Sequence, residues 1–380
     1  MTCETRNKII YLDNAATTPL DERVLEKMMP YLSGIYGNAD SLHSVGRAAM
    51  KGLDEARETV AAIIGAKFNE VYFTSGGTEG DNFALRGAAA VRGEKRKLVL
   101  SSVEHAAMIK TASYLKDVET VFVRPDKNGT VSAKDYDIQG AFLYCLMSAN
   151  NETGMIQPVK EACAFAHENG GLFFTDAVQS MGVTDVNVKD TDVDMMSFSA
   201  HKFYGPKGVG GMYIKNGTNI PPIISGGRQE RGLRGGTSDV AGAVGLAEAL
   251  KISRENLVKD NERIKNLRDL FIDKILYSLD FASLNGGREG RLAGNANIRF
   301  SGVSGELLLC ALDLNGVCAS LGAACSAGSV EPSYVLKEMG LSDKEAKESL
   351  RFTFGRQNTV EEVDAAVEII RREASALRAK

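Results

Sequence analysis

Between about residues 50 and 250, short apolar runs alternate with longer stretches whose apolar positions recur at helical spacing. The runs at 70–74, 98–102, 120–123, 141–148, 171–175, 193–199 and 208–214 are rich in Val, Phe, Tyr, Leu and Met and predict strands. Several are apolar throughout, as strands buried on both faces of a parallel sheet are. Between them, 53–64 and 159–169 predict helices, the second stopped by Gly170 and Gly171. This alternation predicts an α/β unit with a mostly parallel sheet flanked by helices. Beyond residue 255 the pattern changes. A long, charged amphipathic helix is expected at 256–279, short strands at 296–300 and 316–320, and helices at 332–339 and 360–377. The expected division is a large domain at 15–255 and a smaller α+β domain built from 1–14 plus 256–380.

Length and charge narrow the reading. At 380 residues the chain exceeds one ordinary core. A net charge of -4 gives no basic footprint for nucleic acid, and the basic stretch 92–97 reads as a solvated turn. Residues 1–10 are charged and short of apolar residues, unlike a secretory leader, and no run approaches the ~18 apolar residues of a membrane span. No membrane association and a cytoplasmic location are expected. The six cysteines are scattered without a CxxC pair, so neither a disulfide framework nor a metal site is expected, and a lone reactive thiol is the better question. Cys145, Cys163, Cys310 and Cys318 sit in apolar runs and read as core. Cys325 lies instead among Gly, Ala and Ser, in a segment suited to presenting a thiol.

In an open α/β sheet, ligands bind beyond the carboxyl ends of the strands. After 70–74 comes Ser75-Gly76-Gly77-Thr78-Glu79-Gly80, at a helix start, which reads either as a phosphate cradle or as a plain capping turn. Glu104-His105 follows 98–102, and Asn150-Asn151-Glu152-Thr153-Gly154 follows 141–148. Asp176 follows 171–175, with Gln179 beyond it. Ala200-His201-Lys202 and a glycine-rich turn holding Lys207 follow 193–199. A structural histidine and a helix-capping aspartate are the plainer readings of His105 and Asp176. Lys202, where an apolar strand empties into the cleft, is placed to lose pKa and act as a nucleophilic amine. Taken together, an amine, an acid for a pyridinium nitrogen, a phosphate cradle and a ring-stacking imidazole are the parts needed to hold pyridoxal 5'-phosphate.

Asp176-Ala177-Val178-Gln179-Ser180, with Ser199-Ala200-His201-Lys202 26 residues on, resembles the signature of the class V aminotransferase group of fold-type I pyridoxal-phosphate enzymes. More narrowly, the chain resembles cysteine desulfurases of the nitrogen-fixation and iron–sulfur-cluster type. Further stretches carry the likeness: 11–19, 73–82, 150–154, Arg231-Gly232-Leu233-Arg234-Gly235-Gly236-Thr237, and Leu321-Gly322-Ala323-Ala324-Cys325-Ser326. The resemblance implies a fold-type I transferase in which Lys202 links to the cofactor, Asp176 pairs with the ring nitrogen, Gln179 with the ring's phenolic oxygen, and His105 stacks on the ring and, as a catalytic residue, shuttles protons. Asn151 lies near the same ring edge. Gly77, Thr78, Ser199 and His201 hold the phosphate, completed by Thr237 from a partner subunit, which implies a homodimer. Arg351 grips the substrate carboxylate, and Asn151 also takes part in binding the substrate. The implied reaction takes sulfur from L-cysteine, leaving L-alanine and a persulfide on Cys325. An acceptor protein then receives the sulfur for iron–sulfur cluster assembly or thiolation. The alternatives are a selenocysteine lyase or another lyase or aminotransferase on the same scaffold.

Three stretches depart from the family's habit, one of them Ser238-Asp239 after Thr237, where relatives often have Pro or Asn. Asn38-Ala39-Asp40-Ser41 lacks the proline that relatives carry nearby, so a somewhat different substrate-side loop is expected. The sequence reaches Lys380 soon after its last helix, where relatives that feed the general iron–sulfur scaffold carry a longer tail, so a specialised acceptor is equally expected.

Overall fold

The computed structural model describes residues 9–322 and 331–379. Its strands are β1 (Ile10–Tyr11), β2 (Val71–Thr74), β3 (Lys97–Ser101), β4 (Glu119–Val123), β5 (Ala141–Cys145), β6 (Leu172–Asp176), β7 (Met195–Ser199), β8 (Gly210–Ile214), β9 (Ala282–Leu284), β10 (Asn295–Phe300), β11 (Val317–Cys318) and β12 (Ser349–Thr353). The helices are α1 (Glu22–Ser33), α2 (Ser44–Ile64), α3 (Gly77–Ala90), α4 (Ala106–Tyr114), α5 (Val159–Glu168), α6 (Val188–Thr191), α7 (Val240–Ser278), α8 (Gly305–Leu314), α9 (Tyr334–Glu338), α10 (Asp343–Lys347) and α11 (Val360–Arg378).

Seven strands form one sheet in the order β2-β8-β7-β6-β5-β3-β4. All run parallel except β8, which is antiparallel to both its neighbours. The expected mostly parallel α/β sheet is thus present. Successive residues point to opposite faces. Val99, Tyr144, Phe173 and Met196 enter the core under α2, α5 and α7, whereas Leu98, Leu100, Cys145, Phe174 and Met195 enter the core under α3 and α4. Both faces are covered, which is why these runs are apolar without alternation.

A separate core gathers Ile10 and Leu12, the distal part of α7, β10, β12, α8 and α11, around Phe271, Phe300 and Phe352. Here β9, β10 and β12 form an antiparallel sheet, and β1 pairs in parallel with β11. The helix expected at 256–279 starts much earlier. It runs 39 residues from Val240, capped by the Asp239 carboxylate on the Gly242 amide. Its first half is rich in Gly and Ala and buried against α1 and α2, so it lacks the charged face that marks the second half. It crosses the expected boundary at 255 without a break and feeds both cores.

Other expectations need correction. The run 141–148 leaves strand geometry after Cys145, and 316–320 shrinks to Val317–Cys318. Cys310 is exposed, on the outer face of α8, and Cys318 is half-buried; Cys145 and Cys163 are buried as expected. Among the described residues, no helix is long and apolar enough to cross a membrane.

Candidate active site

The carboxyl ends of β2, β3, β5, β6 and β7 open on one crevice, and the chemistry-bearing turns converge there. After β2 the chain turns through Ser75 and Gly76 into α3. Gly76 occupies the cap position, and no side chain caps the first turn. The open N–H groups and the helix dipole make an anion seat. Gly77, Thr78, Ser199 and His201 line this recess together with Thr17, Ser75, Gly76 and Lys207. Close packing dictates the glycines. A Cβ on Gly77 would come within 2.5 Å of Val178, and one on Gly210, on β8, within 2.6 Å of the Gly76 backbone. Burial beside Lys202 and Lys207 pushes His201 down to about 4, so it stands as a neutral imidazole, with Nδ1 3.2 Å from the Thr17 hydroxyl. Sequence reasoning missed Thr17 as lining, although it lies in a stretch that was singled out. Lys207, in the glycine-rich turn after β7, is exposed and lines the same recess.

Lys202 ends the short 3₁₀ turn that β7 runs into. Its Nζ donates to the carbonyls of Ala15 (2.5 Å) and Ala16 (3.0 Å). Burial, helped by the Arg351 charge, brings its amine down to about 8. Lys202 is thus a partly desolvated amine at the junction of β7 and the N-terminal strap. Gln179 sits alongside, its amide donating to the Ala15 carbonyl at 3.1 Å.

Asp176, at the end of β6, accepts from the Val178 amide at 2.8 Å. Burial raises its carboxyl above the ordinary range, while His105, the Val178 bond and Lys202 pull it back. Two further acids sit close by, and sequence reasoning assigned neither. Asp81 accepts from the Ser197 hydroxyl at 2.8 Å; Glu104 accepts from the Met147 amide at 2.6 Å, and its Oε2 has no partner among the described residues. Burial holds both well above the carboxylate range, and among the described residues neither has a cationic partner acting on it. The charge of this acidic group therefore falls to Asp176, the member beside Lys202 and His105. His105 caps α4 by accepting the Ala107 amide at Nδ1 (3.2 Å) and is exposed.

Arg351, on β12, is 4% exposed. Its guanidinium donates to the Asn151 carbonyl (2.9 Å) and the Asp13 carboxylate (2.8 Å), and its Nε is buried without a partner among the described residues. The Asn151 side-chain oxygen is likewise buried and unpartnered. Two orphaned polar atoms of opposite character, in one cleft, suit a ligand bearing both a carboxylate and a donor. The Arg351 backbone pairs with Ser320, five residues before Cys325. Cys325 itself lies outside the described residues. Thr237 is exposed and does not line the recess of its own chain.

The donors fit pyridoxal 5'-phosphate: an open helix N-terminus with hydroxyls for the phosphate, Asp176 for a ring nitrogen, and an amine of lowered pKa for the aldehyde. Held there, the group would supply an electron sink for carbanion chemistry at an amino acid's α-carbon.

The family described as aminotransferase class-V matches residues 10–366. A protein named cysteine desulfurase IscS from Clostridium botulinum (strain Kyoto / Type A2) is 42% identical over 98% of this chain and 97% of its own. Another of that name, from Dictyoglomus turgidum, is 42% identical over 97% and 95%. Among solved structures, a NifS-like protein superposes with a TM-score of 0.92 at 35% identity, covering 97% of this chain and all of its own. A structure described as SspA in complex with cysteine reaches 0.80 at 32% identity, covering 92% and 99%. The chain belongs to the class-V aminotransferase family and, within it, to the cysteine desulfurases.

Proposed function

We propose that this protein is a pyridoxal-phosphate-dependent cysteine desulfurase that takes sulfur from L-cysteine, releases L-alanine and carries the sulfur as a persulfide on Cys325. One observation carries the reading: a partly desolvated lysine lies between a phosphate recess and a buried arginine whose Nε has no partner among the described residues. Gly77, Thr78, Ser199 and His201 would seat the phosphate, Asp176 the ring nitrogen and Gln179 its phenolic oxygen, with His105 against the ring face. Arg351 and Asn151 would orient the amino acid by its carboxylate. Lys202, its amine brought down to about 8 by burial, would move the α-proton. The Cys325 thiolate then attacks the substrate sulfur. The new S–S bond forms as the C–S bond breaks, and that electron pair leaves with the three-carbon fragment, which takes up a proton to become alanine.

Thr237, exposed on its own chain, suits completion of a partner's phosphate seat, and the active form we infer is a homodimer. The two separate cores suit a large domain at 15–255 and a small one at 1–14 plus 256–380. An acceptor protein would take the sulfur for cluster assembly or thiolation. Free thiols at Cys145, Cys163, Cys310 and Cys318 suit a reducing, cytoplasmic setting.

The test is alanine and sulfide production from L-cysteine with a thiol reductant. Wild type should release both in equal amounts, while Cys325→Ala, loaded with cofactor and coloured, should release neither. A Cys325→Ala protein as active as wild type would sink the persulfide step and bring forward a selenocysteine lyase or another lyase or aminotransferase.

A further inference from the structure

Asp13 lies next to β1 and pairs through its backbone with Thr353 on β12. Its carboxylate meets Arg351 Nη2 at 2.8 Å, in a pair whose side chains are 20% and 5% exposed. The residues are 338 positions apart in sequence. Arg351 is held from two sides, by this carboxylate and by the Asn151 carbonyl, while Nε has no partner among the described residues. A guanidinium has five donors, so an incoming carboxylate can dock on the free Nε side without displacing Asp13. It then shares the cation with an anion already in place.

We propose that Asp13 belongs to the amino-acid carboxylate site, as the fixed counter-ion of Arg351 that weakens its hold on carboxylates enough for L-cysteine to bind and L-alanine to leave. This rests on the reading that Arg351 receives the substrate carboxylate. An uncompensated buried guanidinium would bind substrate and product carboxylates alike more tightly, and tight product binding slows turnover. The pair also sets the field at Lys202, whose amine Arg351 pushes down and Asp13 and Asp176 push up.

Asp13→Asn keeps an oxygen for Nη2 and removes only the charge. In the cofactor-loaded enzyme the KM for L-cysteine and the inhibition constant of L-alanine should both fall by about fivefold, as expected for a screened charge a few ångströms away. The inhibition constant of cysteamine, which has no carboxylate, should stay unchanged. In the apo-protein, reductive methylation of Lys202 should titrate at lower pH in the variant than in wild type. Asp13→Glu should restore wild-type values. A role in holding the fold alone predicts the reverse, a higher KM with cysteamine equally affected, and that result overturns the proposal. So do constants within about twofold of wild type. Arg351→Lys separates the two readings. If it leaves the KM for L-cysteine unchanged, the carboxylate role of Arg351 is wrong. If it raises that KM while Asp13→Asn lowers nothing, Arg351 keeps its role and Asp13 loses its own.

Discussion

The titratable residues of the crevice are tuned mainly by burial. For Lys202, burial leaves a neutral amine above about pH 8 rather than only above the ordinary 10.5. Capture of pyridoxal phosphate by the apo-protein, followed by absorbance, should accelerate as pH rises towards 8 and then level off. A rate still climbing at pH 10 would show an ordinary lysine, and Lys202→Arg should capture none. Glu152 is a second case. Burial pushes its carboxyl from 4.5 up to about 7, while the Ser333 hydroxyl and Arg351 pull it down. The folded protein therefore holds this proton more tightly than the unfolded chain. The resulting stability is full below about pH 4.5, is lost as pH rises through about 7, and stays lost above, up to about 3 kcal/mol. Urea midpoints at pH 5 and pH 8 should converge in Glu152→Gln relative to wild type. An unchanged difference between the two pH values would remove Glu152 from the explanation.

At the scale of elements, what the sequence disclosed follows from how each element is buried. The central strands were legible because both faces are covered, which writes an apolar run into the chain. The turns after β2, β3, β5, β6 and β7 were legible because unusual residue types cluster where strands end. The first half of α7 was not, since its Gly and Ala pack closely and leave no amphipathic signature. Cys310 misled because α8 carries apolar residues outward as well as inward: Leu308 is fully buried, while Leu307 is 57% exposed. Contacts such as Asp13 with Arg351, or Ser333 with Glu152, join distant segments and leave no local pattern. The phosphate turn offers a test of close packing. Gly210→Ala would drive a methyl against the Gly76 backbone, which has no side-chain freedom to yield. Pyridoxal-phosphate affinity should fall by about tenfold, with a stability loss of about 1–3 kcal/mol in urea unfolding. Unchanged affinity would mean that the turn does not hold the phosphate.

For the molecule as a whole, two chains are proposed to make one site. Thr237 lies outside its own recess, so its proposed work is on a partner. Lys202→Ala and Thr237→Ala proteins, each impaired alone, should regain desulfurase activity when unfolded together and refolded as mixed dimers. One crevice of each mixed dimer then holds both native residues. No recovery would mean that Thr237 serves its own chain or none. The central claim has a more direct test. Cofactor-loaded protein is given L-cysteine without reductant and examined by mass spectrometry after alkylation and digestion. One additional sulfur atom on the peptide bearing Cys325, with one alanine released per subunit, is the predicted result. Alanine without that sulfur, or sulfur on Cys310 or Cys318 instead, would contradict it.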